Sequence, residues 1–215
     1  MWGLEVLEGI EEVSIDLWKG YKSLAAEIIP NAQIVADRFH VMAQINQELD
    51  GERKQEKRKI VSEIKQAKTP EEKLEKEIIL AGITDSKYAI LKNEKDLSDK
   101  QKDKLAQVKS VSDRLKTMHQ LKEEFRKIFE KTEKWTDGLL ELGKWLSKAQ
   151  KYFVTSKSTI YRWFDEILAY FDNRITSGVV EGINNKLKLI KRSGYGFTNF
   201  GNFRNSCLLN WHFTR

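Results

Sequence analysis

The sequence predicts a mainly α protein that carries one small βαβ unit near its N-terminus. Three observations predict it. "EEVSID" (11–16) sets Val13 and Ile15 in alternation, the period-two pattern of a strand. "AQIVADRFH" (32–40) opens on Ile34, Val35 and Ala36, a continuous apolar run typical of a strand covered on both faces. Everything after Asp37 instead repeats its apolar residues at steps of three and four, the spacing of packed helices.

Between the two strands, "KGYKSLAAEIIP" (19–30) places Tyr21, Leu24, Ala25 and Ile28 at helical spacing, and Pro30 marks the stop. Strand, helix and strand in so short a span make a crossover unit with parallel strands. Both strands finish at an aspartate, Asp16 and Asp37. Carboxyl ends of parallel strands are where open α/β sheets build their sites. Further on, "FHVMAQINQELD" is amphipathic, while "DGERKQEKRK" (50–59) has no apolar residue and reads as a turn or a fully solvated helical stretch. In "TPEEKLEKEIILAG", Thr69 is a predicted N-cap, Pro70 the first helical residue and Gly82 a residue past the end. From Ser98 a long segment carries Leu105, Val108, Val111, Leu115, Met118, Leu121, Phe125 and Ile128 as a packing seam, with His119 on its solvent flank. "WTDGLLELGKWLSKAQ" and "STIYRWFDEILAYF" continue in helical style, and no internal repeat or proline-rich linker interrupts them.

Composition narrows the class. A chain of 215 residues can bury a respectable core, and 40% hydrophobic with 33% charged residues fits a folded, soluble protein. No apolar run approaches the roughly 18 residues of a membrane span, and the acidic N-terminus lacks the plan of a signal peptide. The single cysteine, Cys207, excludes an internal disulfide and fits a reducing compartment, so a cytoplasmic location is expected. The formal charge of +6 is concentrated: Arg174 to Arg215 holds seven Lys/Arg and one acid, while the remainder balances. Such a local basic surface is what a polyanion docks on.

That one acid is Glu181, in "SGVVEGINNKLKLIKR" (177–192). At about 100° per residue, Asn185, Lys188 and Arg192 fall within about 40° of Glu181, opposite Val179, Ile183, Leu187 and Ile190. Taken alone, a carboxylate in a first turn is explained by the helix dipole or a capping box. A functional role needs further acids converging on it, and Asp16 and Asp37 could supply them; carboxylates beside bases suit Mg²⁺ and phosphate. Alone, Asp37 reads as the cap of the following helix, with His40 in its first turn. "RSGYGFTNF" (192–200) sets Tyr195 between two glycines, either to stack on an unpaired base or to make a tight turn before a helix capped by Asn199. Cys207 and His212 lack a usual zinc-finger spacing; Cys207 is expected to pack with Phe200, Phe203 and Trp211.

"VSIDLWKGYKSLAAEIIPNAQIVADRFHVM", followed far downstream by "RITSGVVEGINNKLKLIKRSGYGFTNFGNFR", resembles the catalytic region of bacterial insertion-sequence transposases, specifically the ISL-three-type DDE transposases. The resemblance covers residues 11–48 and 170–205. It implies an incomplete ribonuclease-H-like core interrupted by a large helical insertion: 1–44 as partial core, 45–172 as insertion, and 173–215 as the C-terminal core helices with the last catalytic acid. It implies Asp16 as the second acid of the triad and Glu181 as the third, both metal ligands, with Asp37 the alternative second acid. Asp37 and His40 match an acid-x-x-His motif and would support the site. Asn185, Lys188, Lys191, Arg192 and Tyr195 would face DNA. The implied cofactor is Mg²⁺ or Mn²⁺, and the implied reaction is DNA strand cleavage and strand transfer. Implied partners are DNA, as transposon ends and target, and a second copy or full-length transposase, at the bacterial nucleoid. The first acid finds no place in the ten residues before "EEVSID". The chain is therefore expected to be a C-terminal portion that does not cut DNA by itself. The alternative is a non-catalytic, basic helical remnant that binds DNA or a transposase.

Overall fold

Alternation in one segment and continuous apolarity in the other give two short strands, β1 (Glu12–Ile15) and β2 (Gln33–Ala36), joined by helix α2 (Lys19–Ile28) and preceded by α1 (Leu4–Glu8). The computed structural model describes residues 4–176, 178–195 and 197–212, without the side chains of 4, 5, 179–181, 211 and 212. The strands pair in parallel, in register from Glu12↔Gln33 to Ile15↔Ala36. The ladder continues one step further, the Asp37 amide donating to the Ile15 carbonyl at 2.8 Å. Asp16 and Asp37 therefore leave the sheet side by side. Val35 and Ala36 are fully buried, as a strand covered on both faces requires. Helix α10 (Phe164–Asn173) packs on β2 and on α8 (Trp135–Ala149), burying Ile167, Ala169, Tyr170 and Phe171; Phe171 lies against Gly138 and Phe129. Lys22 pairs with Glu166, and Asn173 donates to Glu12, fastening the βαβ unit to that helix.

Helix α3 (Arg38–Gln66) runs from the Asp37 cap through 29 residues without a break. The stretch 50–59 is thus neither a turn nor fully solvated: Asp50 and Arg53 bury as a pair, Arg53 Nε donating at 2.8 Å, and Lys54 reaches the other carboxylate oxygen at 2.7 Å. Helix α4 (Pro70–Ile83) begins as expected, with Thr69 Oγ1 accepting from the Glu72 amide at 3.1 Å. Gly82 does not lie beyond its end. It is buried inside the helix, where an added Cβ would meet Val111 Cγ2 at 2.8 Å, so glycine permits the close approach.

After α5 (Lys87–Leu91) and a 3₁₀ turn, the seam that begins at Ser98 is two helices, α6 (Asp99–Val111) and α7 (Asp113–Lys131). Ser112 breaks it, extended at φ −143° and ψ 105°, with its hydroxyl accepting from the Leu115 amide at 3.0 Å and donating to Glu56 at 2.7 Å. Helices α8 (Trp135–Ala149), α9 (Val154–Arg162) and α10 complete this unit. Its centre is aromatic: Phe125, Phe129, Trp145, Phe153 and Phe171 are buried together, and Trp145 Nε1 donates to the Leu121 carbonyl at 2.8 Å. No helix among the described residues is long and apolar enough to cross a membrane.

His119 does not lie on the solvent flank. It is fully buried, and neither ring nitrogen has a hydrogen-bond partner. Burial, with the nearby Lys122 charge, pushes its pKa down to about 3. The unfolded chain takes up this proton below its ordinary value near 6.5 and the folded chain does not. Stability from this group is therefore complete above that value and is lost as pH falls towards 3. Between pH 7.5 and 5 the loss should be about 2 kcal/mol. Urea unfolding of the parent and of His119→Leu at both pH values checks this; equal acid losses in the two proteins would assign the effect elsewhere.

The chain divides into two compact units, Met1–Ile175 and Thr176–Arg215. The second holds α11 (Gly178–Ser193) packed on α12 (Phe200–His212). Tyr195 turns the chain between them in the left-handed region, φ 53°. Asn199 caps α12, its side-chain oxygen accepting from the Gly201 and Asn202 amides at 2.7 and 3.3 Å. Cys207 is a free thiol and half buried.

Candidate metal centre and nucleic-acid face

Because the strands are parallel and in register, the residue after each strand end meets its counterpart at the same edge. Asp16 follows β1, Asp37 follows β2 and caps α3, and His40 lies one turn into α3. These three offer ligand atoms that all lie within 4.8 Å of one another. His40 Nδ1 is 3.1 Å from Asp16 Oδ1 and 3.4 Å from Asp37 Oδ2. Although the distances are short, Nδ1 is buried and neither approach has hydrogen-bond geometry. The imidazole nitrogen thus faces two carboxylates without bonding to either.

The acids differ in environment. The Asp37 side chain is 1% exposed and its Oδ1 accepts from the Phe39 amide at 2.9 Å, so its orientation is set by the helix it caps. The Asp16 side chain is 46% exposed and open to an incoming ligand. The capping reading of Asp37 holds: Oδ1 caps α3, while Oδ2 lies 3.4 Å from His40 Nδ1. Two carboxylates and an imidazole fit a divalent cation. Oxygen donors suit Mg²⁺ or Mn²⁺, and the imidazole suits Mn²⁺ better than the harder Mg²⁺.

Two exposed aromatics follow the acids in the chain, Trp18 and Phe39, 60% and 56% exposed; the Phe39 ring meets His40 edge-on at 5.5 Å, and the Trp18 ring meets Tyr21. Trp18 follows Asp16 by two residues, its amide bonded to the Asp16 carbonyl at 2.6 Å, and Phe39 follows Asp37 by two. Hydrophobic periodicity singles out neither of them. The available signal is a large aromatic just past a strand-end acid.

In the second unit, Asn185, Lys188, Lys191 and Arg192 are all exposed on α11, and Tyr195 is fully exposed. Ile190 is buried and Leu187 half buried, but Ile183 of the expected apolar face is 42% exposed. The backbone of Glu181 lies in the first turn of α11, and its side chain lies outside the described residues. The same is true of the His212 side chain.

A family model described as transposase, that of the ISL3-type DDE enzymes, matches residues 3–207. This chain belongs to the ISL3-type transposase family. Among curated relatives, the transposase for insertion sequence element IS1557 of Mycobacterium tuberculosis is 31% identical over 207 residues, which is 91% of this chain and 46% of the relative. The transposase for insertion sequence element IS1001 of Bordetella parapertussis is 25% identical over 194 residues, 87% of this chain and 44% of the relative. The chain therefore spans under half the length of the curated transposases it matches. No solved structure matches it. Membership bears out the resemblance carried by the two terminal motifs, and the mainly helical fold with one parallel strand pair agrees with the expected class.

Proposed function

We propose that this chain supplies part of the metal-dependent catalytic region of an insertion-sequence DDE transposase. The observation that carries the proposal is the convergence of Asp16, Asp37 and His40 at the carboxyl ends of the strand pair. Asp16, the open carboxylate, is assigned as the second acid and Glu181 as the third; Asp37 and His40 support the site by orienting or polarising it. Residues 1–44 and 173–215 are read as parts of a ribonuclease-H-like core, and 45–172 as its helical insertion. DNA, as transposon end and target, is the proposed substrate, and a second copy or full-length transposase the proposed partner.

A divalent cation bound there would neutralise charge on the transferring phosphate and make a bound water more acidic. The chain's own residues do the rest. The Asp37 carboxylate, fixed by its cap, adds negative charge 3.4 Å from the His40 ring nitrogen. Asp16 presents its oxygens to solvent at the mouth. The bases of α11 offset phosphate charge, and Tyr195 offers a π-face to an unpaired base.

Manganese binding by this chain, followed by electron paramagnetic resonance, tests the assignment. Asp16→Asn should weaken binding at least about tenfold, because it removes a charged oxygen ligand. His40→Ala should narrow the preference for Mn²⁺ over Mg²⁺. Unchanged affinity in Asp16→Asn would sink the metal site. With two acids of the proposed three, the 215-residue chain by itself should bind the ion yet leave an end-containing duplex uncut. A second reading, a non-catalytic DNA-binding remnant, draws on the confinement of the net charge to the last 42 residues. It requires neither Asp16 nor Glu181, and the manganese result separates the two.

A further inference from the structure

Helix α3 carries more charge than the βαβ unit it leaves, and its charges are sorted by face. At about 100° per residue, Glu52, Glu56 and Glu63 lie within about 40° of one another. Each is taken up by a partner on a neighbouring segment: Glu52 by Arg114 at 2.6 Å, Glu56 by the Ser112 hydroxyl at 2.7 Å, and Glu63 by Lys76 at 2.9 Å. The opposite face is basic. Lys54, Lys57, Arg58, Val61 and Lys65 fall within an arc of about 100°, and Arg53, Lys54, Lys57, Arg58 and Val61 line a shallow depression there. The acid nearest this face, Asp50, already accepts from Arg53 and Lys54. Lys57, Arg58 and Lys65 have no acidic partner among the described residues. The modest net charge of residues 50–65, six bases against four acids, understates the segregation, since inward contacts consume the glutamates and leave the bases facing water.

Position adds a second argument. The helix starts at the cluster formed by Asp16, Asp37 and His40 and points its basic ridge away from it. At about 1.5 Å per residue, Lys54 lies some 25 Å along the helix from Asp37 and Lys65 some 42 Å. At about 3.4 Å per base pair, a duplex engaged at the cluster and running beside α3 would meet the ridge about seven to twelve base pairs away.

We propose that the outward ridge of α3, comprising Lys54, Lys57, Arg58 and Lys65, is a second DNA-backbone surface, separate from the bases of α11. The proposal rests on the reading that this protein works on DNA. It gives the helical middle a task, holding flanking duplex by its phosphates without reading bases.

Fluorescence anisotropy with a labelled duplex of about 30 base pairs, across a salt series, tests it. Each phosphate contact contributes about 0.9 to the log–log salt slope. The triple variant Lys57→Gln, Arg58→Gln, Lys65→Gln should therefore flatten the slope by two to three units, about a hundredfold or more in affinity at 0.1 M salt. Arg58→Ala alone should flatten it by about one unit, and serves if the triple variant does not fold. A parent that binds duplex while both variants keep its slope overturns the ridge and leaves the DNA reading standing. A parent that binds no duplex at low salt overturns both. If the substitutions abolish binding to phosphatidylserine vesicles and spare duplex binding, the ridge serves a lipid surface and the proposal falls.

Discussion

Lys122→Met is expected to destabilise the protein by about 3–5 kcal/mol, the range for breaking one side of a buried ion pair. Lys122 is 1% exposed. Its ammonium donates to the carbonyls of Ile90, Leu91 and Lys92 at 3.1, 3.3 and 2.8 Å, and lies 2.8 Å from Glu123 Oε1. Those carbonyls are the unpaired ends of α5, where a cation is favoured by the helix dipole. Burial pulls the Lys122 pKa down, opposed by Glu123. Burial likewise opposes the charge on Glu123, but hydrogen bonds from Lys122 and Arg126 outweigh it and hold that carboxyl below its ordinary value. Methionine keeps the volume and removes every donor. The carbonyls of Ile90, buried, and of Leu91 and Lys92, partly buried, then lose this donor, and among the described residues Glu123 keeps Arg126, whose Nη2 lies 2.7 Å away, and the Glu94 amide. Against a typical total stability of about 5–15 kcal/mol, the loss is a large share. Urea midpoints for Lys122→Met and the exposed control Lys102→Met measure it. A difference under about 1 kcal/mol would mean that water replaces the ammonium without cost.

The same network reaches the candidate site. Arg126 also pairs with Glu130, and Glu130 lies 3.6 Å from Arg38, the first residue of α3 and the neighbour of Asp37. The first turn of α3, which carries His40, is therefore held from behind by the helical body. A metal site assembled from strand ends needs that support, since two short strands give little rigidity by themselves.

How far the sequence can be read depends on how many neighbours an element has. The strands and their terminal aspartates are legible because a period-two pattern marks one strand, and the other is a short apolar run, its brevity and the Pro30 before it favouring strand over helix. Parallel register then places Asp16 beside Asp37 without further information. Helix α7 resists the same treatment. It packs against α3, α6 and α8, so residues off its apolar stripe are buried as well. Periodicity marks Met118, Leu121, Phe125 and Ile128, sends His119 to the solvent flank, and says nothing of Lys122 or Arg126. The break at Ser112 is hidden for a different reason: Val108, Val111 and Leu115 keep helical phase across it. Ser112 followed by Asp113 is the signal for a new N-terminus. The run 50–59 misleads because a lack of apolar residues does not mean exposure, and Arg53 and Asp50 bury as a neutral pair.

Changing Lys188 and Arg192 together to alanine is expected to weaken duplex binding about sixtyfold at 0.1 M salt and to flatten the log–log salt slope by nearly two. Both side chains are exposed on α11, and they share the wheel face of Asn185 and Glu181. Neither has an acidic partner among the described residues. The Arg192 guanidinium contacts the Lys188 carbonyl, at 3.3 Å. Their charge is thus available to phosphate, and each contact made releases a condensed counterion. Glu181→Gln should act in the opposite direction when no divalent ion is present. It removes the single negative charge between Arg174 and Arg215, so affinity should stay equal or rise slightly. Added Mn²⁺ should then separate the parent from Glu181→Gln, because only the parent can pair the ion with this carboxylate and the phosphate backbone together. A double alanine variant that matches the parent at every salt concentration would mean that α11 turns this face away from DNA. Glu181 would then be an acid that stabilises a first turn through the helix dipole, and the third metal ligand would have to be sought elsewhere.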